Sequence, residues 1–477
     1  MVGVPGRSKA CLTCRRRKKG CNLEKPTCGQ CKKAGLTCEG YSTQAVFVVS
    51  TPRNRQIGYS VPISSRTSES SWQRTRRNTV SSDMTTHRLL ARPEAERRCI
   101  DLFWEVYFPS GRPIPPSAAR SYTCTWTETA RSLYREDSSL RYALGANCLL
   151  ITGRRHQATW MLREGARLYG KALADLRRSL GASQGPRRDA LIATVKLLCM
   201  FEAFSQQGDG GVADEPQDWQ RHIAGELALF IARTPAAHID GDAHHVFADE
   251  RVEMALSAVL RRKRLVLSNA EWKSIPWQEI PKNLKDILVD VLVDMPGLVE
   301  DFDNMRLCTD ANKQAALRLE LVQKCWDHDR QLLAWLDLLR QVVEDLVIHV
   351  AQVHGMSLFW TTSLILYSIF RMASEPQADL PERTDPTYYA CKLAEAITIL
   401  LHPRAGLYGQ QSAALPLEVA LQYITRALSS SSHEREALLK TLETLKDDLG
   451  NGLTRMISAS ADHRERTGAE QNKDAES

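Results

Sequence analysis

Residues 11–38 read CLTCRRRKKGCNLEKPTCGQCKKAGLTC, which sets six of the chain's thirteen cysteines beside a run of five basic residues. The spacing is C-x2-C-x6-C-x6-C-x2-C-x6-C, and its two halves superimpose. Cys11, Cys14 and Cys21 recur seventeen residues later as Cys28, Cys31 and Cys38, and Arg15 and Arg16 recur as Lys32 and Lys33. The segment is an internal repeat with a pseudo-twofold relation, joined through NLEKPT.

Three chemistries use cysteines at this density. Structural disulfides belong to oxidising compartments, and the opening MVGVPGRSKACLTC offers no apolar stretch for a secretory signal. An intracellular, reducing setting is therefore expected. A redox C-x-x-C sits in a strand-helix context with an apolar lead-in, which RSKACLTC does not supply. Metal binding remains, and ligand arithmetic narrows it. One tetrahedral zinc takes four thiolates and strands two. Two zincs need eight ligand positions, which six thiolates fill when four are terminal and two bridge both metals. Two zinc ions and six thiolates leave a net negative charge, so nearby Lys and Arg stabilise the thiolates. An isolated RRRKK reads as a solvated face or an import signal; pinned between two ligand cysteines, it reads as a presented surface.

This segment resembles the fungal zinc binuclear cluster DNA-binding module of fungal transcription factors, over roughly residues 8–41. The resemblance implies two zinc ions held by Cys11, Cys14, Cys21, Cys28, Cys31 and Cys38, with Cys11 and Cys28 bridging. It implies a short helix after Cys14 whose end enters the major groove, with Lys18 reading a CGG triplet in double-stranded DNA. Pro26 matches the proline of the inter-repeat loop. Gly20 stands where a basic residue is common, and Asn22 where aspartate is common. The repeat adds an asymmetry of its own: Lys18-Lys19 in the first half face Gly35-Leu36 in the second. Paired positions suit phosphate contacts, which position a protein, and unpaired ones suit base edges, which specify. The expected DNA-binding set is Arg15, Arg16, Arg17, Lys18, Lys19, Lys32 and Lys33.

Charge separates this head from the remainder of the 477 residues. Residues 1–98 hold 20 Lys+Arg against 6 Asp+Glu; the remaining 379 hold 43 against 50. A basic head on a mildly acidic body is the footprint of a polyanion-binding module attached to something else. From residue 41 to 98 the composition turns to Ser, Thr and Arg, with no leucine between Leu36 and Leu89. This predicts a mostly disordered linker, with no seam for a dimerising coiled coil near the cluster. Pairing through the large region, or binding as a monomer, stays open.

From about residue 99 the pattern turns helical. Leu284, Ile287, Leu288, Val291, Leu292 and Met295 form one stripe, ending at Pro296-Gly297. Leu332, Trp335, Leu336, Leu339, Val343 and Leu346 form a second; Leu417, Ala420, Leu421, Ile424 and Leu428 a third. GASQGP (181–186), QQGDGGVADEP (206–216) and PERTDP (381–386) read as breaks. The run MSLFWTTSLILYSIF (356–370) is fifteen residues, short of a span, and reads as a buried core helix. DWQRHIAGELALFIART (218–234) and EWKSIPW (271–277) are similar to stretches of the fungal-specific transcription factor regulatory domain, with Glu226 where a small residue is usual. That resemblance implies a small-molecule effector or a co-regulator as partner. No catalytic constellation stands out, so no enzyme is expected. HIDGDAHH (238–245) has the residue types for a metal but reads as a solvated loop, and Cys148, Cys199 and Cys325 as small core residues.

The expected architecture is a small zinc binuclear cluster module (1–40), a disordered basic linker (41–98), a large all-α regulatory domain (99–460) and a disordered tail (461–477). The expected function is sequence-specific regulation of RNA polymerase II transcription in the nucleus, over a metabolic or secondary-metabolite gene set. The rival is an interaction protein whose helical region works while the cluster binds DNA only weakly.

Overall fold

The computed structural model describes residues 11–17, 19–24, 27–38, 46–47, 59–60, 93–113, 126–181, 189–205, 217–342, 350–375, 377–427 and 433–448. The chain divides into two compact units, Met1–His87 and Arg88–Ser477.

The first unit is built on the cysteine repeat. Each half contributes one short helix, α1 (Leu12–Arg16) and α2 (Gly29–Lys33). Neither has an apolar stripe, so thiol clustering replaces a hydrophobic core: Cys11, Cys14, Cys28 and Cys31 are fully buried. Both helices close with a six-residue turn, Lys19 N–H on the Cys14 carbonyl and Leu36 N–H on the Cys31 carbonyl. Of the expected linker, Val46–Phe47 (β1) and Tyr59–Ser60 (β2) are described, paired antiparallel, and residues 93–98 are helical, not disordered. The expected disorder of its other residues up to Arg92, and of the tail, falls outside the described residues.

The described residues of the second unit form helices joined by turns, with no strand among them. Its first half comprises α3 (Pro93–Tyr107), α4 (Trp126–Leu133), α5 (Ser138–Arg155), α6 (Thr159–Leu180), α7 (Asp189–Ser205) and α8 (Gln217–Arg233). Then follow α9 (Gly241–Arg261), the short α10 (Ala270–Ser274), α11 (Leu284–Leu292), α12 (Met295–Leu307) and α13 (Ala311–Val342). The last group is α14 (Val350–Ala373), α15 (Pro386–Leu400), α16 (Gly406–Ala427) and α17 (His433–Asp448). α3 begins ahead of residue 99; Glu94 and Glu96 in its first turn suit a helix N-terminus but hide the apolar pattern from a hydropathy reading.

Helices α5, α6 and α7 pack together, as do α14, α15 and α16. The buried α9 touches α4, α7 and α8 on one side of the chain order and α11 and α12 on the other. One continuous core runs through all of them. At its aromatic end, Trp104 lies 4.8 Å from Phe103 and 5.9 Å from Trp126, centroid to centroid.

The three expected stripes face this core. Leu284, Leu288, Val291, Leu292 and Met295 are buried. Pro296 does not end that helix; α11 stops at Leu292, and Pro296 sits in the first turn of α12, where its missing N–H costs nothing. Leu332, Trp335, Leu417, Ala420 and Ile424 are buried; Val343, Leu346 and Leu428 lie outside the described residues. The 356–370 run belongs to a 24-residue helix, long and apolar enough by length and composition to cross a membrane. Within the unit, 78% of its apolar window is buried by its neighbours. Thr361, Thr362 and Ser368 donate to carbonyls four residues back, at 2.6–2.8 Å, whereas the buried Ser363 hydroxyl has no partner among the described residues.

Candidate metal centre and nucleic-acid interface

The two halves of the first unit arrange their thiols in the same way. Cys14 N–H donates to Cys11 Sγ at 3.3 Å, and Cys31 N–H to Cys28 Sγ at 3.3 Å. Cys11 N–H donates to Cys21 Sγ and Cys28 N–H to Cys38 Sγ, both at 3.5 Å. Each C-x2-C turn thus aims two sulfurs inward, and each x6 loop returns a third.

The six sulfurs form two overlapping tetrads, Cys11–Cys14–Cys21–Cys28 and Cys11–Cys28–Cys31–Cys38, with sulfurs in each within 4.8 Å of one another. They share Cys11 and Cys28, whose sulfurs are 3.5 Å apart. Cys14–Cys28 is 3.6 Å and Cys11–Cys31 3.8 Å. A tetrahedral zinc with Zn–S of about 2.3 Å has S···S edges of about 3.8 Å, so this donor set fits the metal. Burial raises the thiols of Cys11 and Cys14 and pushes Cys31 up to about 12. Such thiols give up their protons to a cation, not to water.

Asn22 accepts the Gly29 N–H at 2.8 Å and so ties the inter-repeat loop to the start of α2. A Cβ on Gly29 would lie 2.5 Å from Asn22 Nδ2, so a larger residue there would push the Asn22 side chain aside. Thr13 in α1 is buried and donates to the Thr37 carbonyl at 3.1 Å, fastening the ends of the module.

The basic residues surround this centre. Arg16, Arg17, Lys19, Lys32 and Lys33 are exposed. Arg17 and Lys19 of the first half share one cleft with Gln30 and Lys33 of the second. Lys18, Pro26 and the Arg15 side chain lie outside the described residues. Gln30 was missed in the sequence reading. Its signal is a break in the repeat, because the matching position in the first half is the buried Thr13.

Residues 9–45 match the family described as Fungal Zn(2)-Cys(6) binuclear cluster domain. The zinc binuclear cluster binds two zinc ions, and it is a DNA-binding domain of transcription factors, not of an enzyme family. A similar curated protein is Uncharacterized protein AN5342 of Emericella nidulans, 23% identical over 198 residues. The match covers 39% of this chain and 41% of that one, so the chain spans about two fifths of the length of the relative it matches. No solved structure matches the chain.

The other metal-type motif of the sequence resolves differently. His238 and His244 are not in a solvated loop; both are buried. His244 Nδ1 lies 2.8 Å from the Pro276 carbonyl, and His238 stacks on Phe247 with centroids 5.1 Å apart. The turn before α9 folds these rings into the core, and burial holds His238 down at about 4, hence neutral. Among the described residues, the groups placed to hold a metal are the two cysteine tetrads. His222 meets the Tyr169 hydroxyl at 3.2 Å, linking α8 to α6. Cys148, Cys199 and Cys325 are buried core residues.

Proposed function

We propose that this protein is a nuclear, sequence-specific regulator of RNA polymerase II transcription that reads CGG-type triplets in double-stranded DNA. In this reading residues 1–40 bind DNA, 41–98 link, 99–460 regulate and 461–477 form a tail. Cys11 and Cys28 bridge the two zinc ions, while Cys14, Cys21, Cys31 and Cys38 are terminal ligands. Lys18 and Lys19 read base edges; the paired Arg15, Arg16, Lys32 and Lys33 hold phosphates, which supply most of the affinity and its salt dependence, and Arg17 completes the DNA-binding set. The observation that carries the reading is the pair of tetrads sharing Cys11 and Cys28 beside a cleft with basic residues from both halves. A two-metal cluster with no apolar core is a compact frame that presents Arg16, Arg17, Lys19, Lys32 and Lys33 at its surface, which suits a polyanion. The helical region then serves as the regulatory part, and the gene set it controls belongs to metabolism.

Genome-wide occupancy of the tagged full chain beside a Cys14→Ala version tests this, together with transcript changes on deletion. Peaks rich in CGG triplets that vanish in the variant are expected. Good nuclear expression without variant-sensitive peaks would instead favour an interaction protein working through its helical region.

A further inference from the structure

The helical unit encloses a cavity of about 90 Å³ lined from α3, α4, α7, α9, α11, α14 and α16. Three of these helices each present a polar residue and, one turn on, an apolar one: Glu253 and Leu256, His354 and Leu358, Gln411 and Leu415. The polar groups are linked to one another. Gln411 Nε2 donates to Glu253 Oε1, the Tyr107 hydroxyl donates to Gln411 Oε1 at 3.1 Å, and His354 Nδ1 lies 2.9 Å from the Tyr408 hydroxyl. Met200 and Phe204 add apolar wall.

Carboxyl groups outnumber ammonium groups around this space. Lys285 is paired with Asp249 at 2.6 Å. Lys196 alone serves Glu250, Glu253 at 3.0 Å, and the fully buried Glu226. Three carboxyl groups about one ammonium, away from water, are balanced by protons: burial raises Glu226 well above the ordinary carboxyl range and raises Glu250 with it. Burial, opposed by Lys196 and helped by Glu253, pushes Glu250 up to about 8, so at neutral pH it holds a proton that a second cation would displace. Glu253 is the carboxylate of the lining with most surface to offer, 21% exposed against 5% for Asp249. The volume is below the roughly 150 Å³ that admits benzene. It suits a body of about five heavy atoms.

We propose that this cavity binds a small aliphatic amine, its ammonium on Glu253 and Gln411 and its alkyl body on Met200, Phe204, Leu256 and Leu358. A bound ammonium takes the place of the proton on Glu250, leaving Lys196 to that carboxylate while the ligand takes Glu253, and the apolar wall rejects heavily hydrated cations and rewards the alkyl chain. Binding stands on the cavity alone. That the amine alters DNA occupancy rests on the regulatory reading above.

Ligand-observed saturation-transfer NMR on the full chain tests it, with n-butylamine, 1-butanol and butyrate as probes. n-Butylamine is expected to bind at least about tenfold more tightly than 1-butanol, with no transfer to butyrate, because a charge-assisted hydrogen bond is roughly twice a neutral one. Glu253→Gln, checked for folding by its melting curve, abolishes the preference. Ala414→Leu, which fills the lining, abolishes binding of both probes and stands in if Glu253→Gln does not fold. The proposal is overturned by absent n-butylamine transfer, by equal binding of amine and alcohol, or by a preference that survives these substitutions. Amine binding without any change in affinity for CGG duplex would sink the regulatory role of the ligand and leave the site standing.

Discussion

Single residues of the cluster divide by what their neighbours in the repeat do. Cys14 and Cys31 match in spacing, in N–H···S bonds and in burial, so either half explains the other. Positions that break the match are where specificity is expected. Lys18→Ala should relax discrimination between CGG and scrambled duplexes by about 1–3 kcal/mol. Arg15→Ala should weaken both alike and lower the salt slope by about one unit. Titrations at several salt concentrations distinguish them, and equal losses on both duplexes for Lys18→Ala would refute its role. Asn22 teaches a different lesson. It departs from the family's aspartate, yet its oxygen accepts the Gly29 N–H, which either side chain can do.

At the level of elements, helix ends carry much of the information. Asn283 and Asp286 form a reciprocal capping box at the start of α11, and Asp385 caps α15 ahead of Pro386. These signals are local, each side chain accepting an N–H two or three residues on. The junction before α16 is not. Gly406 has φ +65 and ψ −166, and a Cβ there would lie 2.6 Å from the Tyr107 carbonyl oxygen and 2.8 Å from that of Val106. Its partner is α3, some three hundred residues earlier, which no local pattern announces. Gly406→Ala should cost about 1–3 kcal/mol through backbone strain alone, with the clash adding to it. Urea melts of the full chain check this; an unchanged midpoint would show that the junction yields.

Across the whole molecule, two tests separate the units. Chelation should abolish DNA binding while leaving the helical circular dichroism of Arg88–Ser477 in place. Zinc affinity should fall as pH drops, because Cys11, Cys14 and Cys31 are held above their ordinary values and their protons compete with the metal. Competition against a chromophoric chelator across pH reads that slope; a flat profile would contradict it.

Stability of the helical unit has its own pH dependence. His238 is depressed to about 4 and His354 to about 3, so both are neutral when folded, and their contribution is lost as pH falls below about 6.5. Glu250 is raised to about 8, so its contribution is full at low pH and lost as pH rises from about 4.5 towards 8. His328 is lowered with these histidines, and Glu226 and Asp286 are raised with Glu250, so the two sets oppose one another below about 6.5 and the buried carboxyls set the slope above it. Glu250→Gln should flatten the alkaline limb in thermal melts; an unchanged limb would assign it elsewhere.

The sequence by itself determined the cluster, its metal count and the helical class of the large region. Cysteine spacing and apolar periodicity are local, and both describe what must be buried. It also marked Glu226 as out of place, without saying why. Only the tertiary structure showed that Glu226 is buried near Lys196, Glu250 and Glu253, and that α7, α9, α14 and α16 close a cavity beside them. Only there did His238 and His244 leave the surface they seemed to occupy. A buried charge or ring depends on partners far along the chain, and which partners meet is settled when the helices pack.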